Sequence, residues 1–581
     1  MEQAGSAEDV GEETASPKRS AKMEAKVVKG KRGLKVLFLS SDTGGGHRAS
    51  AESLAKQFEL LYPGTVFVLH DMVENEGTPP YNSLVKTYKH LSAHPSQWKL
   101  VYGFSNSRAF EVIADVHLKL MCERAVRRRI MSYDPDVVVS VHPLMTNVPV
   151  LSCAKISQKT SKHLPMFTVV TDLGSAHCLW FANGVEKMFV GSEQIYELAK
   201  SRGKVPESKL VIAGLPIRHE FAIQSEKLGD RLSEEGKEYQ KQVRAELQLP
   251  FVDRKTILVM GGGEGVGSLS NIVNRIFIEL VTNGIDSVIL VVCGRNEKLM
   301  NDLAVRDWDE ILRRHHLIEE NRLLDTSTVC DPFISFHPQG CIKEGGVTRR
   351  LRTILSTGSF SGLDSPVSVP MPPYCMDAGD QSKETSPSHS EEGAEVTFKD
   401  GTVTYEDEVR DEAGTTTQDK VSGSTAPPSD AEHQGDLIEG KPIGRVSVVG
   451  LGFVTRMADY MVAADILVSK AGPGTISEAA ALSLPVLLTS FLPGQEEGNV
   501  DYVIDGGFGA FCSDSDPGGV AEVVVSWLTD DKKMEQLSKA AKTKGAPYAA
   551  RDIAKAIGES TLKWREINEH NEAASNALPS R

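Results

Sequence analysis

The sequence has no run of 18 consecutive apolar residues, so nothing in it reads as a membrane-spanning helix. The N-terminus lacks the apolar centre of a signal peptide. Glu2, Glu8, Asp9, Glu12 and Glu13 also make it a poor transit peptide, a class that avoids acids. The eight cysteines (122, 153, 178, 293, 330, 341, 375 and 512) include no CxxC pair, which excludes a structural zinc site and fits a reducing compartment. Neither GxGxxG nor a Walker motif is present, so its glycine-rich loops point to a fold before they point to a ligand. Basic residues are outnumbered, and the net charge of -15 argues against a nucleic-acid-coating surface.

What remains is an ordinary globular balance, 40% hydrophobic and 25% charged, over 581 residues, enough for several domains. Residues 1–33 are acidic, then lysine-rich, and read as a disordered tail. Leu34–Ser40 reads as a strand, followed by the loop Ser41–Arg48 with three glycines, then a helix from Ala49. Strands follow at Thr65–Asp71, Val137–Val141, Met166–Thr171, Lys187–Gly191 and Lys209–Ala213, with helices at Tyr81–His90, Phe110–Met131 and Glu193–Arg202. The pattern restarts with a strand at Lys255–Met260, a second triple glycine at Gly261–Gly263, and a helix near Ser270–Val281. Strand and helix alternate in both halves, which predicts two doubly wound parallel sheets. Residues 356–440 are rich in Ser, Thr, Pro, Gly and acids and read as a disordered insertion. The expected domains are therefore 34–250, then 251–355 with 441–550, and a terminal helix and tail over 551–581.

The chain is organised around Lys470–Glu478, at a strand-to-helix turn with Gly472, Pro473 and Gly474. Such a turn lets backbone approach a ligand and points helical N–H groups at it. Thr475 adds a hydroxyl, and Glu478 could accept hydrogen bonds from a ribose. One strand later, Gln495, Glu496 and Asn499 offer the mixed donors and acceptors that neutral sugar hydroxyls need. Gly262 and Gly263 could supply N–H groups to a diphosphate.

The runs Ser41–Ala51, Met260–Gly265, Cys293–Asn296, Lys470–Ile476, Gly494–Glu496 and Gly498–Val500 resemble the monogalactosyldiacylglycerol synthases, of glycosyltransferase family 28. The resemblance covers Leu34 to about residue 320 and Arg445 to about residue 550. It implies the GT-B fold, with two Rossmann-like domains facing across a cleft. It also implies transfer of galactose from UDP-galactose to the sn-3 hydroxyl of diacylglycerol with inversion. A UDP-glucose-dependent diacylglycerol glucosyltransferase and a non-catalytic nucleotide-sugar-binding protein are the alternatives. Family members act at the chloroplast envelope, although no transit peptide is visible here. No DxD pattern stands at a suitable strand end, so no metal or other cofactor is expected.

Inversion needs a base on the acceptor hydroxyl. His47, ending the first glycine loop, is the leading candidate, with a phosphate-ligand role as its alternative and Asp172 and Asp42 as rival bases. Arg218 matches a family arginine and would bind diphosphate, or else form an interdomain salt bridge. Phe453 and Val454 resemble the family's uracil-binding turn; the alternative for Phe453 is a core aromatic. A lipid acceptor requires peripheral contact with an anionic membrane. Pro80, Trp98, Trp180 and Phe181 stand in loop-like contexts suited to that contact, and Arg124, Arg127, Arg128 and Arg129 form a basic run that is either lipid-facing or a solvated face.

Overall fold

The computed structural model describes residues 33–41, 46–77, 81–92, 94–261, 269–315, 341–344, 347–350, 437–438 and 441–577. The N-terminal sheet holds β1 (Lys35–Leu39), β2 (Val66–His70), β3 (Val137–Ser140), β4 (Met166–Val169), β5 (Met188–Val190) and β6 (Leu210–Ile212). All pairs are parallel, in the order β2-β1-β3-β4-β5-β6. The second sheet holds β7 (Lys255–Met260), β8 (Ser287–Val292), β9 (Val446–Leu451), β10 (Ile466–Lys470), β11 (Val486–Ser490) and β12 (Gly509–Phe511). It too is parallel throughout, ordered β9-β8-β7-β10-β11-β12. Two such sheets make the expected GT-B architecture. Central strands such as Val137–Ser140 and Ser287–Val292 are buried along their whole length, as a sheet covered on both faces requires. Residues 356–440, expected to be an insertion, lie outside the described residues except for Leu437–Ile438, which pair with Lys441–Pro442.

In each sheet the strand order reverses at one point, where open α/β sheets bind ligands beyond the strand ends. In the first sheet that point lies between β1 and β3; in the second, between β7 and β10. The sequence-singled loops emerge at these two places. Helix α1 (Gly46–Leu61) follows β1, with His47 in its first turn. Further along come α2 (Leu84–Ser92), α3 (Pro95–Ser105) and α4 (Arg108–Tyr133), and α5 (Asn147–Thr160) follows β3.

The packing boundary between the domains falls before His219, earlier than the expected position near 250. Phe221, Leu228, Val243 and Leu247 join the hydrophobic core of the second sheet. Buried Arg231 fastens this linking segment by donating to the carbonyls of Met461, Val462, Ala464 and Leu482. The terminal helix, α6 (Ala549–Ala577), takes up most of the segment expected to hold a helix and a tail. It crosses back to the first sheet, where Ile553 and Ile557 pack with Leu54 and Phe58. The Tyr62 hydroxyl donates to the Lys555 carbonyl.

Candidate active site

The second sheet's switch point carries α7 (Pro473–Ala481), capped by Gly472. The helix begins at Pro473, because proline is pre-set for the first helical position. Its first intrahelical bond runs from Ile476 N–H to the Gly472 carbonyl, so the N–H groups of Gly474 and Thr475 have no partner within the helix. Among the described residues none crowds Gly474, and only the Thr475 hydroxyl approaches Gly472, so this end of the helix is open to an anion on the side they define. Phe453, beyond β9, is 70% exposed, which excludes the core alternative; Val454 packs partly against the core. Gly262 and Gly263 lie outside the described residues, as do Asp42 and Pro80.

Glu478 sits on α7 but faces the other domain. Arg218 donates from Nε to Glu478 Oε1 at 2.8 Å and from Nη2 to Oε2 at 2.9 Å. The pair is a bidentate clasp across the cleft, the salt-bridge alternative for Arg218. Both Glu478 oxygens are therefore engaged, and burial raises its pKa while Arg218 opposes the rise.

The second cluster is also partly structural. Asn499 is 1% exposed: its Oδ1 accepts from Gly174 N–H and its Nδ2 donates to the Ala471 carbonyl. Glu496 accepts from Lys470 Nζ at 2.7 Å and from the Leu492 N–H at 2.8 Å. Neither side chain is free for a sugar as the sequence reading expected. Gln495 lines an open cavity, with its side chain hydrogen-bonded to Tyr88 and its backbone carbonyl accepting from the Ser175 hydroxyl. At Gly174 the domains meet backbone to backbone, and a methyl group there would stand 1.6 Å from the Gly498 oxygen. That contact explains the two glycines.

The cavity that Gln495 borders has a volume of about 240 Å³. Leu91, Trp98, Val101, Phe110 and Leu179 make it predominantly apolar, and His47, His142 and Asp172 stand in its wall. A hollow of about 400 Å³ between α4, α5 and α6 lies at the opposite, N-terminal edge of the first sheet, beside Asp134 and Asp136, away from both switch points. The cavity, not the hollow, is the candidate acceptor site.

His47 is buried. Its Nδ1 lies 2.8 Å from Thr171 Oγ1, and the ring is also hydrogen-bonded to the Val141 backbone. The His142 ring stands edge-on at 4.7 Å and Trp180 at 5.9 Å. Burial pushes His47 down to about 4, and burial together with the neighbouring His47 and His177 holds His142 well below the usual imidazole value. Trp180 corrects a sequence expectation: it is 0% exposed and cannot enter a membrane. Its Nε1 donates to Asp172 Oδ2 at 2.7 Å. Burial pushes Asp172 up to about 7, against that hydrogen bond. Phe181 is likewise buried, and Trp98 lies on α3 with its ring against Tyr88 and Tyr102 rather than in a loop.

A family model described as monogalactosyldiacylglycerol (MGDG) synthase matches residues 47–217, and a glycosyltransferase family 28 C-terminal domain matches residues 426–553. The chain's sequence is similar to that of monogalactosyldiacylglycerol synthases along most of its length. It is 25% identical to monogalactosyldiacylglycerol synthase 3, chloroplastic, of Arabidopsis thaliana, over 95% of this chain and 86% of that protein. It is 27% identical to a probable monogalactosyldiacylglycerol synthase 2, chloroplastic, of Oryza sativa subsp. japonica, over 90% of this chain and 80% of the relative. Among solved structures it is similar to Acinetobacter baumannii MurG, with a TM-score of 0.44 and 11% identity, over 90% of this chain and 99% of that one. The first family match ends at Ile217, one residue before the Arg218 clasp and at the packing boundary between the domains.

One exposed apolar surface was not anticipated from the sequence. Leu100 and Phe104 on α3, at 76% and 69% exposure, join Val112, Ile113, Val116 and Leu120 on α4. The spacing along α4 is that of one helical stripe, opposite buried Ala114, Leu118 and Cys122. An apolar stripe on both faces of one helix was the available signal. The basic run divides: Arg127 pairs with buried Glu123 and Arg129 with buried Glu76, whereas Arg124 and Arg128 are exposed.

Proposed function

We propose that this chain transfers galactose from UDP-galactose to the sn-3 hydroxyl of 1,2-diacylglycerol, with inversion, at a membrane surface. The observation that carries the reading is the apolar cavity whose polar wall, with Asp172 and His47, meets Gln495 from the nucleotide-sugar domain. A diacylglycerol has one hydroxyl on a greasy body, and the cavity has the same distribution of polarity. The open N-terminus of α7 would take the donor's diphosphate. The exposed Phe453 side chain and the backbone beside it would border the base. Arg218 and Glu478 would hold the domains at the working separation.

Among the described residues no helix is long and apolar enough to cross a membrane. Contact would be peripheral, through the α3–α4 patch, since exposed apolar surface of this kind marks protein or membrane contacts. The same two helices line the cavity through Trp98, Val101, Phe110 and Ala114, so a lipid could pass from bilayer to site along apolar surface. Arg124 and Arg128, at the far end of the α4 stripe, would meet anionic headgroups. The relatives' names place them in chloroplasts, and a plastid envelope is the location proposed here. UDP release is the test. It should occur with UDP-galactose only when diacylglycerol-containing vesicles are added, and more slowly with UDP-glucose. Equal or faster release with UDP-glucose would replace the galactosyl reading by the glucosyl one.

A further inference from the structure

We propose that Asp172, not His47, takes the proton from the acceptor hydroxyl, and that Trp180 positions it. The inference rests on the glycosyl transfer proposed above. Asp172 lies three residues past the end of β4 and two before Gly174, where the domains touch. It is therefore in the cavity wall at the point where the apolar acceptor site meets the donor domain. Its Oδ2 is held by the indole N–H of a fully buried tryptophan, which fixes the rotamer. Among the described residues no protein donor is recorded on Oδ1, which leaves that oxygen for a substrate hydroxyl. The groups around it are His47 on α1, Tyr88 on α2, Tyr102 on α3, His142 after β3, His177, and Glu496 from the other domain. None is a cation placed to quench a carboxylate. Glu496 is itself paired with Lys470.

The chemistry balances with this one residue. Asp172 Oδ1 accepts the hydroxyl proton, and the hydroxyl oxygen's electron pair forms the new bond to C1 of the sugar. The old C1–O bond breaks, and its electron pair leaves with UDP. A carboxylate whose burial has raised it to about 7 is matched to that task near neutral pH. His47 is not: its polar contacts are to Thr171 and Val141, and an imidazole pushed down to about 4 is a weak base. The His47 ring stands 5.9 Å from Trp180 and so packs beside the Asp172–Trp180 pair.

The test compares Asp172→Asn, His47→Gln and Trp180→Phe in the full chain with UDP-galactose and diacylglycerol vesicles. Asn keeps an oxygen for the Trp180 N–H, so the fold and UDP affinity should hold. Its kcat should fall about 10²–10⁴-fold, the usual contribution of a general base. His47→Gln should cost no more than about tenfold. Trp180→Phe removes a hydrogen bond that favours the carboxylate, so the rising limb of the kcat–pH profile should move to higher pH; a merely structural role would leave the limb in place. Asp172→Asn within a few-fold of the parent, with His47→Gln down by 100-fold or more, overturns the proposal. So does an unmoved limb in Trp180→Phe. If the parent itself releases no UDP with diacylglycerol, the functional reading fails first and takes the assignment with it.

Discussion

The Arg218–Glu478 clasp makes the sharpest energetic prediction. The two residues are 260 positions apart, one on the segment that links the domains and one on the second sheet's switch-point helix, with both carboxylate oxygens and two guanidinium nitrogens used. Removing one partner of a buried ion pair costs about 3–5 kcal/mol, because the survivor stays desolvated. Glu478 is well buried but the Arg218 side chain keeps 34% of its exposure, so water screens the pair and about 1–3 kcal/mol is the better expectation. Arg218→Ala strands a buried carboxylate, whose pKa, already raised by burial, must rise further. Glu478→Ala strands a cation that can still reach solvent, so it should cost less. The double variant should cost clearly less than the two single losses added together, with a coupling of about 0.5–3 kcal/mol. Denaturant unfolding of the parent, both single variants and the double variant measures this, and calorimetry with UDP runs on the same four proteins. Glu478→Ala should also weaken UDP binding, by opening the cleft rather than by losing a ribose contact, so Arg218→Ala should weaken it comparably. Additive stability losses, or a UDP defect in Glu478→Ala that Arg218→Ala lacks, would refute the clasp and restore Glu478 as a ribose ligand.

Two further outcomes follow from surface features. Phe104→Asp with Leu120→Asp should strongly reduce sedimentation with anionic vesicles while leaving UDP affinity intact; undiminished sedimentation would move the membrane contact elsewhere. Charge reversal at Arg124 and Arg128 should lessen the salt sensitivity of that binding without loss of stability, whereas reversal at Arg127 and Arg129 should lower thermal stability by breaking pairs with buried Glu123 and Glu76. Deleting residues 360–438 should leave a soluble, active protein, because that composition cannot bury a core. Loss of soluble expression or of all turnover would count against this.

What was legible in the sequence was local. Strands such as Lys255–Met260 and Ser287–Val292 were delimited to the residue because a buried parallel strand is a continuous apolar run bounded by turn residues. Both ligand-facing loops were found because glycine at a strand-to-helix turn has few other uses. Phe453 is exposed, so its core alternative falls away. What depended on long-range contact was misjudged. Asn499 and Glu496 look like sugar ligands until their partners Gly174 and Lys470 are known. Trp180 looks like a lipid anchor until burial and Asp172 are seen. The sequence favours His47 because it ends a glycine loop and an ordinary imidazole suits neutral pH; burial pushes that imidazole to about 4 and the Asp172 carboxyl to about 7, which is why Asp172 is the base we propose. Helix α3 escaped notice because its apolar residues sit on both faces, leaving no single stripe to find.

The central claim is a single displacement at the sugar carbon with a diacylglycerol hydroxyl as nucleophile. Proton NMR of the purified lipid product, made from UDP-galactose and diacylglycerol vesicles, tests it most directly. The account predicts one galactose on the sn-3 oxygen in the β configuration, opposite to that of the donor. A product with the α configuration, or galactose released to water with no lipid product, would contradict it.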